Sequence, residues 1–265
     1  MDLQLSGRRA LVTGSSAGIG EAIARRLAAE GAAVIVHGRR AEGVSAVVDA
    51  ILADGGKAEG QVADLADSKD SARLVTDVLA GGAVDILVNN AGAFANRGWD
   101  EATPEDWLSL YATNVAAAVR CIQGFLPAMR AAGWGRIVQI GTGEAINPFA
   151  TMPDYSASKA ALLNLTVSLA KHLDRTGITV NTVSPGIVVT PGVEEFYRLE
   201  ARRRGWGEDW PAIEAAVLDY ILDNPTGRPG RPAEVADLIA FVASPLAGYI
   251  NGANIRIDGG STAVV

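Results

Sequence analysis

Tyr155 and Lys159 stand four residues apart in a segment that reads as a helix, so the two side chains share one face. An isolated tyrosine ionises near pH 10 and is a poor proton donor or acceptor at neutrality. A neighbouring ammonium favours the phenolate, and each unit by which it lowers the phenol is worth about 1.4 kcal/mol. The pair therefore predicts a general acid–base group. A second constellation, Thr13-Gly14-Ser15-Ser16-Ala17-Gly18-Ile19-Gly20, follows an apolar run and opens a helical stripe of Ile19, Ile23 and Leu27. Gly14 allows a tight turn, Gly18 removes a side chain where a pyrophosphate must approach, and Gly20 lets helix and strand pack closely. Free N–H groups at the helix start then face phosphates. The spacing is G-x-x-x-G-x-G, not the commoner G-x-G-x-x-G.

The elements that must position these groups alternate. Strands are predicted over 9–13, 33–37, 58–62 (weakly), 84–88, 136–140, 178–183 and 253–257. Helices are predicted after Gly18, over 41–53 and 68–79, from Pro104 toward Met129, from Pro153 to about 175, and over 232–242. This is an α/β chain, and it predicts a doubly wound Rossmann-type parallel sheet of about seven strands with helices on both faces. The 265 residues are read as a single NAD(P)-binding domain. The stretch 191–229 breaks the rhythm with two short helices, Trp206 and Trp210 but no strand, and reads as a substrate lid.

Composition narrows the classes. Hydrophobic residues at 49% and charged ones at 20% describe a globular chain. A net charge of −7 repels nucleic-acid phosphates, so no nucleic-acid partner is expected. No apolar run is long enough for a membrane span or a signal peptide, which predicts no membrane partner and a cytoplasmic location. Cys121, the one cysteine, reads as a small buried apolar residue, and no Cys/His spacing for a metal exists.

The glycine pattern resembles the cofactor fingerprint of the short-chain dehydrogenase/reductase family, and the resemblance runs along the whole chain. Asn89-Asn90-Ala91-Gly92, Asn114, Tyr155 with Lys159, Pro185-Gly186 with Thr190, Gly227-Arg-Pro-Gly230 and Asp258-Gly259-Gly260 match that family's motifs in order. The resemblance implies a carbonyl–alcohol oxidoreductase. Tyr155 would be its acid–base group, Lys159 would also bind the nicotinamide ribose, and Asn114 would hold a water linked to Lys159. It implies cofactor contacts from Gly14, Ser15, Ser16, Gly18, Ile19 and Gly20, from Asn90, Ala91 and Gly92 at the adenosine ribose, from Asp64 and Leu65 at adenine, and from Pro185, Gly186, Ile187 and Thr190. It also implies a homo-oligomer, tetramer or dimer. One departure stands out: Thr142 occupies the place where the family usually has serine. Its hydroxyl still suits a substrate carbonyl and its oxyanion, and Gly141 and Gly143 leave room for its methyl.

Cofactor choice is read at the end of the second strand. An acidic residue there holds the ribose of NAD. Here Gly38 stands in that place, followed by Arg39 and Arg40, which suit a 2′-phosphate. NADP(H) is therefore favoured over NAD(H). His37 reads as a packing residue. Phe94, Trp99, Phe149, Met152, Val188 and Trp206 are candidate substrate contacts, predicting a small-molecule carbonyl or alcohol that is apolar or ring-bearing. A catalytically weak cofactor-binding protein and a lyase or epimerase on the same fold remain alternatives, and net cofactor consumption separates them.

Overall fold

The structure, a computed structural model, describes residues 1–221 and 224–262. Seven strands form one sheet: β1 (Arg9–Val12), β2 (Ala33–Gly38), β3 (Lys57–Val62), β4 (Ile86–Asn89), β5 (Gly135–Ile140), β6 (Ile178–Pro185) and β7 (Asn254–Ile257). Their order is β3-β2-β1-β4-β5-β6-β7 and all described pairings are parallel. The expected doubly wound α/β architecture is what folds. Parallel strands covered on both faces must be apolar at consecutive positions. Ala10 and Val12 face one core, with Leu11 between them facing the other.

Helices α1 (Gly18–Ala29), α2 (Ala41–Ala53) and α9 (Pro232–Val242) fill the first core, through Ile23, Leu27, Val47 and Ile239 among others. The second core is built from α3 (Ser68–Ala80) and α5 (Ala117–Ala132), with Leu74, Cys121, Phe125 and Met129 buried against Leu87 and Ile137. Cys121 is the buried apolar residue expected, and burial pushes its thiol up to about 12. Strand β3 read weakly in the sequence because it is an edge strand with most of its residues exposed. No helix among the described residues is long and apolar enough to cross a membrane.

The helix predicted from Pro104 toward Met129 is not continuous. It runs as α4 (Pro104–Tyr111), a π-helical turn over Ala112–Ala116, and then α5. The turn carries Asn114 inward, where the amide is 2% exposed and clamps another loop. Next comes α6 (Pro153–His172), which ends three residues short of the expected boundary. In the stretch 191–229 the described residues form α7 (Pro191–Arg204) and α8 (Trp210–Ile221) and no strand; residues 222 and 223 lie outside them. These two helices carry a small core of their own: Tyr197, Ala201, Ile213 and Val217.

Strand order reverses on either side of β1, where β2 departs in one direction and β4 in the other. Such a switch point opens a crevice beyond the carboxyl ends of the strands. The loops leaving β1, β4, β5 and β6 carry the glycine turn, Asn90 to Gly92, Thr142 and Pro185 to Thr190 to this edge, and α6 adds Tyr155 and Lys159.

Candidate active site

The turn after β1 is held from beneath by side chains. The Gly14 N–H donates to His37 Nδ1 at 3.1 Å, and His37 Nε2 lies 3.2 Å from the Ala63 carbonyl oxygen. His37 is thus more than the packing residue expected: it ties the turn to β2 and to the chain beyond β3. Burial pushes its imidazole from 6.5 down to about 4. Ser15 Oγ donates to the Val12 carbonyl at 2.7 Å and accepts from the His37 N–H at 3.0 Å. Asn90 Nδ2 donates to the carbonyls of Thr13 and Gly14 at 2.9 and 3.0 Å. Ser15 and Asn90 were expected to face the cofactor, but their side chains are spent on shaping the turn. Their backbone N–H groups are bonded within the protein as well, Ser15 to the His37 carbonyl at 2.7 Å and Asn90 to Thr13 Oγ1 at 3.0 Å.

Gly14 and Gly18 adopt φ of +65° and +62°, which disfavours any side chain. A Cβ at Gly20 would lie 2.4 Å from the Gly14 carbonyl oxygen and 2.5 Å from Asn90 Nδ2, so this glycine makes room for the turn as well as for helix packing. The N-cap of α1, Ala17, offers no side-chain cap, which leaves the first N–H groups of the helix available to an anion. Ile19 packs partly buried against the first core.

A groove runs from this turn along the carboxyl ends of β2, β3 and β4, lined by Gly14, Ser16, Gly38, Arg39, Asp64, Leu65, Ala91 and Gly92 among others. It fits the adenosine half of a dinucleotide: a bare backbone at the turn, a cation at Arg39 and an apolar floor at Leu65. Arg39 and Arg40 are both exposed. Gly38 is constrained in a way the sequence did not show. A Cβ there would sit 2.7 Å from Ser16 Oγ and 2.8 Å from Ser16 Cβ. On the other side of the turn, Thr190 Cγ2 lies 3.4 Å from where a Gly18 Cβ would be. Gly186 and Pro185 pack at the end of β6 beside Asp258 and Ile257, and Ile187 packs against the α7–α8 core.

Thr142, Tyr155, Lys159 and Asn114 converge at the mouth of β4 and β5. Thr142 follows β5, and its side chain lies near enough to the Tyr155 hydroxyl to favour the ionised phenol. Lys159 is 5% exposed; its Nζ donates to the Ile140 carbonyl at 2.7 Å and lies 5.8 Å from the Tyr155 ring centroid. Asn114 Oδ1 accepts from the Ala93 N–H at 2.8 Å, while its Nδ2 donates to the Ala93 carbonyl at 2.9 Å and to Ser158 Oγ at 3.0 Å. Both ends of that amide are occupied, so its side chain clamps the π-helical turn to α6 and to the loop after β4.

The electrostatics correct a second expectation. Burial and, behind it, the charge of Glu144 raise the Tyr155 phenol above its ordinary value, and the Thr142 side chain offsets only part of this. Burial lowers Lys159 to about 8. The Lys159 ammonium is directed at the Ile140 carbonyl, 5.8 Å from the phenol ring centroid, and does not outweigh burial at the phenol.

The expected substrate contacts separate. Phe94 stands edge-on to Tyr155, with centroids 6.1 Å apart at 64°. Trp99 packs on Trp107 and is largely exposed, Phe149 is partly exposed, and Met152 caps α6. Val188, by contrast, is 5% exposed in the first core, with its backbone bridged to Gly230, and Trp206 packs within the α7–α8 unit against Tyr220. Val188 is thus a core residue, while Trp206 remains partly exposed. Glu144 and Tyr197 were missed. Glu144 was visible as the only charge between Thr142 and Asp154, whereas nothing in the sequence brought Tyr197 to this site. The wall near Tyr155 is therefore more polar than the sequence implied.

A twisted parallel sheet with a glycine turn, a switch-point crevice and a Tyr–Lys helix defines a dinucleotide-dependent dehydrogenase class. The family model described as short chain dehydrogenase matches residues 8–200, and the chain belongs to that family of oxidoreductases. It is 39% identical over 264 residues to the uncharacterized oxidoreductase YvrD of Bacillus subtilis, covering 98% of each chain. It is 35% identical over 259 residues to the 3-oxoacyl-[acyl-carrier-protein] reductase FabG of Haemophilus influenzae, covering 97% of this chain and 98% of the other. Among solved structures, L-sorbose reductase from Gluconobacter frateurii, complexed with NADPH and L-sorbose, superposes with a TM-score of 0.95 at 32% identity over all of both chains.

Proposed function

We propose that this protein is an NADP(H)-dependent oxidoreductase that interconverts a carbonyl and an alcohol. The observation that carries the reading is the convergence of Thr142 and Tyr155 beside buried Lys159, next to the groove that begins at the Gly14 turn. Relatives solved with NADPH or NADP bound support the cofactor class. Gly14, Gly18 and the start of α1 would hold the pyrophosphate, Arg39 with Arg40 the 2′-phosphate, and Lys159 the nicotinamide ribose. When bound, the reduced nicotinamide supplies the hydride for the carbonyl carbon.

The chain's own residues handle the oxygen. The Thr142 hydroxyl donates to it as negative charge develops, in a pocket where such a bond is worth more than in water. The Tyr155 hydroxyl gives up its proton to form the alcohol, and works in reverse as acceptor. A phenol raised by burial holds its proton until the oxyanion forms, and Lys159, with a charge poised near 8, stabilises the phenolate left behind. Asn114 keeps α6 and the loop after β4 in register for this exchange. Residues 191–229 act as the lid, and the same reading carries a small-molecule substrate, a cytoplasmic location and a homo-oligomer. The test is a panel of carbonyl compounds with NADPH and NADH, read by loss of reduced-nicotinamide absorbance. Turnover with NADPH is expected; no net cofactor consumption with any carbonyl would refute the assignment.

A further inference from the structure

One carboxylate in this site has no part in the proton transfer just described. Glu144 lies in a short helical turn, Gly143–Ala145, between Thr142 and α6. Its N–H donates to Thr142 Oγ1 at 3.4 Å, and its Oε2 accepts from Ser156 Oγ at 3.5 Å. It is half-buried, and its charge is felt by two phenols, Tyr155 from α6 and Tyr197 from α7. Tyr197 is itself 7% exposed, and burial together with Glu144 pushes it up to about 12. Among the described residues Glu144 has no ion-pair partner. Arg97, on the same side of the site, is committed to Asp106 and to the buried Asp154.

A carboxylate can accept about four hydrogen bonds. Here it accepts one long one and has lost much of its hydration, so burial pushes it up to about 7. What it lacks is a donor. Its place is set by two bonds, one to Thr142 and one to Ser156, the neighbour of Tyr155, so the carboxylate stands beside the reacting pair. The donor's charge follows from the surroundings. An ammonium would be repelled by Lys159 in the same site, and a substrate carboxylate would be repelled by Glu144 itself. A neutral hydroxyl satisfies both.

We infer that Glu144 is a specificity-determining residue that selects neutral carbonyl compounds bearing a hydroxyl beside the reacting carbon, that is, α-hydroxy ketones and, in reverse, vicinal diols. This rests on the carbonyl–alcohol reading above and replaces a purely apolar substrate with a polar one. Glu144 makes no bond and moves no proton. Its carboxylate accepts from the substrate hydroxyl while Thr142 and Tyr155 act on the carbonyl oxygen. A buried acceptor left unpaired by a deoxy analogue discriminates more strongly than an apolar pocket does.

The experiment compares 1-hydroxybutan-2-one, butan-2-one and pyruvate with NADPH, in the wild type and in Glu144→Gln and Glu144→Ala. The wild type should favour the hydroxy ketone over butan-2-one by roughly 10- to 100-fold in kcat/KM, the worth of one charge-assisted hydrogen bond, and should reject pyruvate. Both variants should lose most of that preference through a higher KM for the hydroxy ketone, with butan-2-one little changed. Equal losses on both ketones would show that Glu144 only supports the fold or Tyr155, and a wild type that prefers butan-2-one or accepts pyruvate would also overturn the inference. Calorimetric titration with butane-1,2-diol and butan-2-ol gives a readout without turnover: tighter diol binding, lost in Glu144→Gln, is expected, and equal binding of the two alcohols sinks the idea. If no carbonyl compound is reduced while the diol preference holds, it is the proposed reaction that fails, not the role of Glu144.

Discussion

Acidification should destabilise this protein through His37, and the size of the effect can be worked out. The ring is 2% exposed, and the Gly14 N–H can only donate, so Nδ1 must be the acceptor and Nε2 must carry the proton toward the Ala63 carbonyl. Protonating Nδ1 sets two donors against each other at the glycine turn. Burial lowers the folded-state value from 6.5 to about 4, with Asp64 and Asp70 offsetting part of the shift. The unfolded chain then binds the extra proton first, so stability is present above 6.5 and is lost as pH falls from there toward 4. Linkage gives a loss of about 2 kcal/mol between pH 7.5 and pH 5, approaching about 3 kcal/mol in more acid solution.

Urea denaturation at the two pH values measures the loss. His37→Leu leaves a donor and an acceptor unpaired, at a cost of roughly 1–3 kcal/mol each at pH 7.5, and its stability should fall less between the two pH values than that of the wild type. The chain has only two histidines, and His172 is exposed, so NMR resolves them. One imidazole should titrate near 4 as the Nε2–H tautomer. A His37 that titrates near its ordinary value, or a variant with the same pH slope as the wild type, would refute the reasoning.

Other outcomes follow from the same geometry. Tyr155→Phe should keep the fold and bind NADPH yet lose most turnover in the carbonyl panel; near-normal rates would remove Tyr155 as the acid. Thr142→Ser should stay active, while Thr142→Ala should lose about 10²-fold in kcat, the worth of one oxyanion donor; an unchanged rate assigns Thr142 to packing. NADPH should bind roughly 10- to 100-fold more tightly than NADH, with the gap closing in Arg39→Ala/Arg40→Ala and narrowing as salt rises. Fluorescence titration reads this, and a wild type favouring NADH would show that the arginines serve solvent only. Because a Cβ at residue 38 meets Ser16 at 2.7 and 2.8 Å, Gly38→Asp should convert the preference cleanly only when combined with Ser16→Gly; full conversion by Gly38→Asp alone would show that Ser16 yields freely.

Local pattern determined much of this protein. Period and punctuation placed the inner strands firmly and the exposed edge strand β3 only weakly, because strands buried on both faces are continuous apolar runs and the glycines and prolines between them mark where such runs end. The Tyr155–Lys159 pair was legible because an i, i+4 relation is fixed by helix geometry alone, and the glycine turn because its φ values exclude other residues. Tertiary structure decided the rest. The π-helical turn at Ala112–Ala116 turns on what Asn114 meets, and Ala93 and Ser158 are 21 and 44 residues away in the chain. The tie from His37 to Gly14 spans 23 residues across two strands. Whether Val188 and Trp206 faced a pocket or a core, and whether Lys159 pointed at a phenol or a carbonyl, depended on packing that no local periodicity records. Glu144 shows the limit most plainly. Its charge was in view as a residue type, but its meaning came from burial beside Tyr155 and Tyr197, and burial is a property of the folded neighbourhood, where a lost hydration shell turns an ordinary carboxylate into a group that needs a partner.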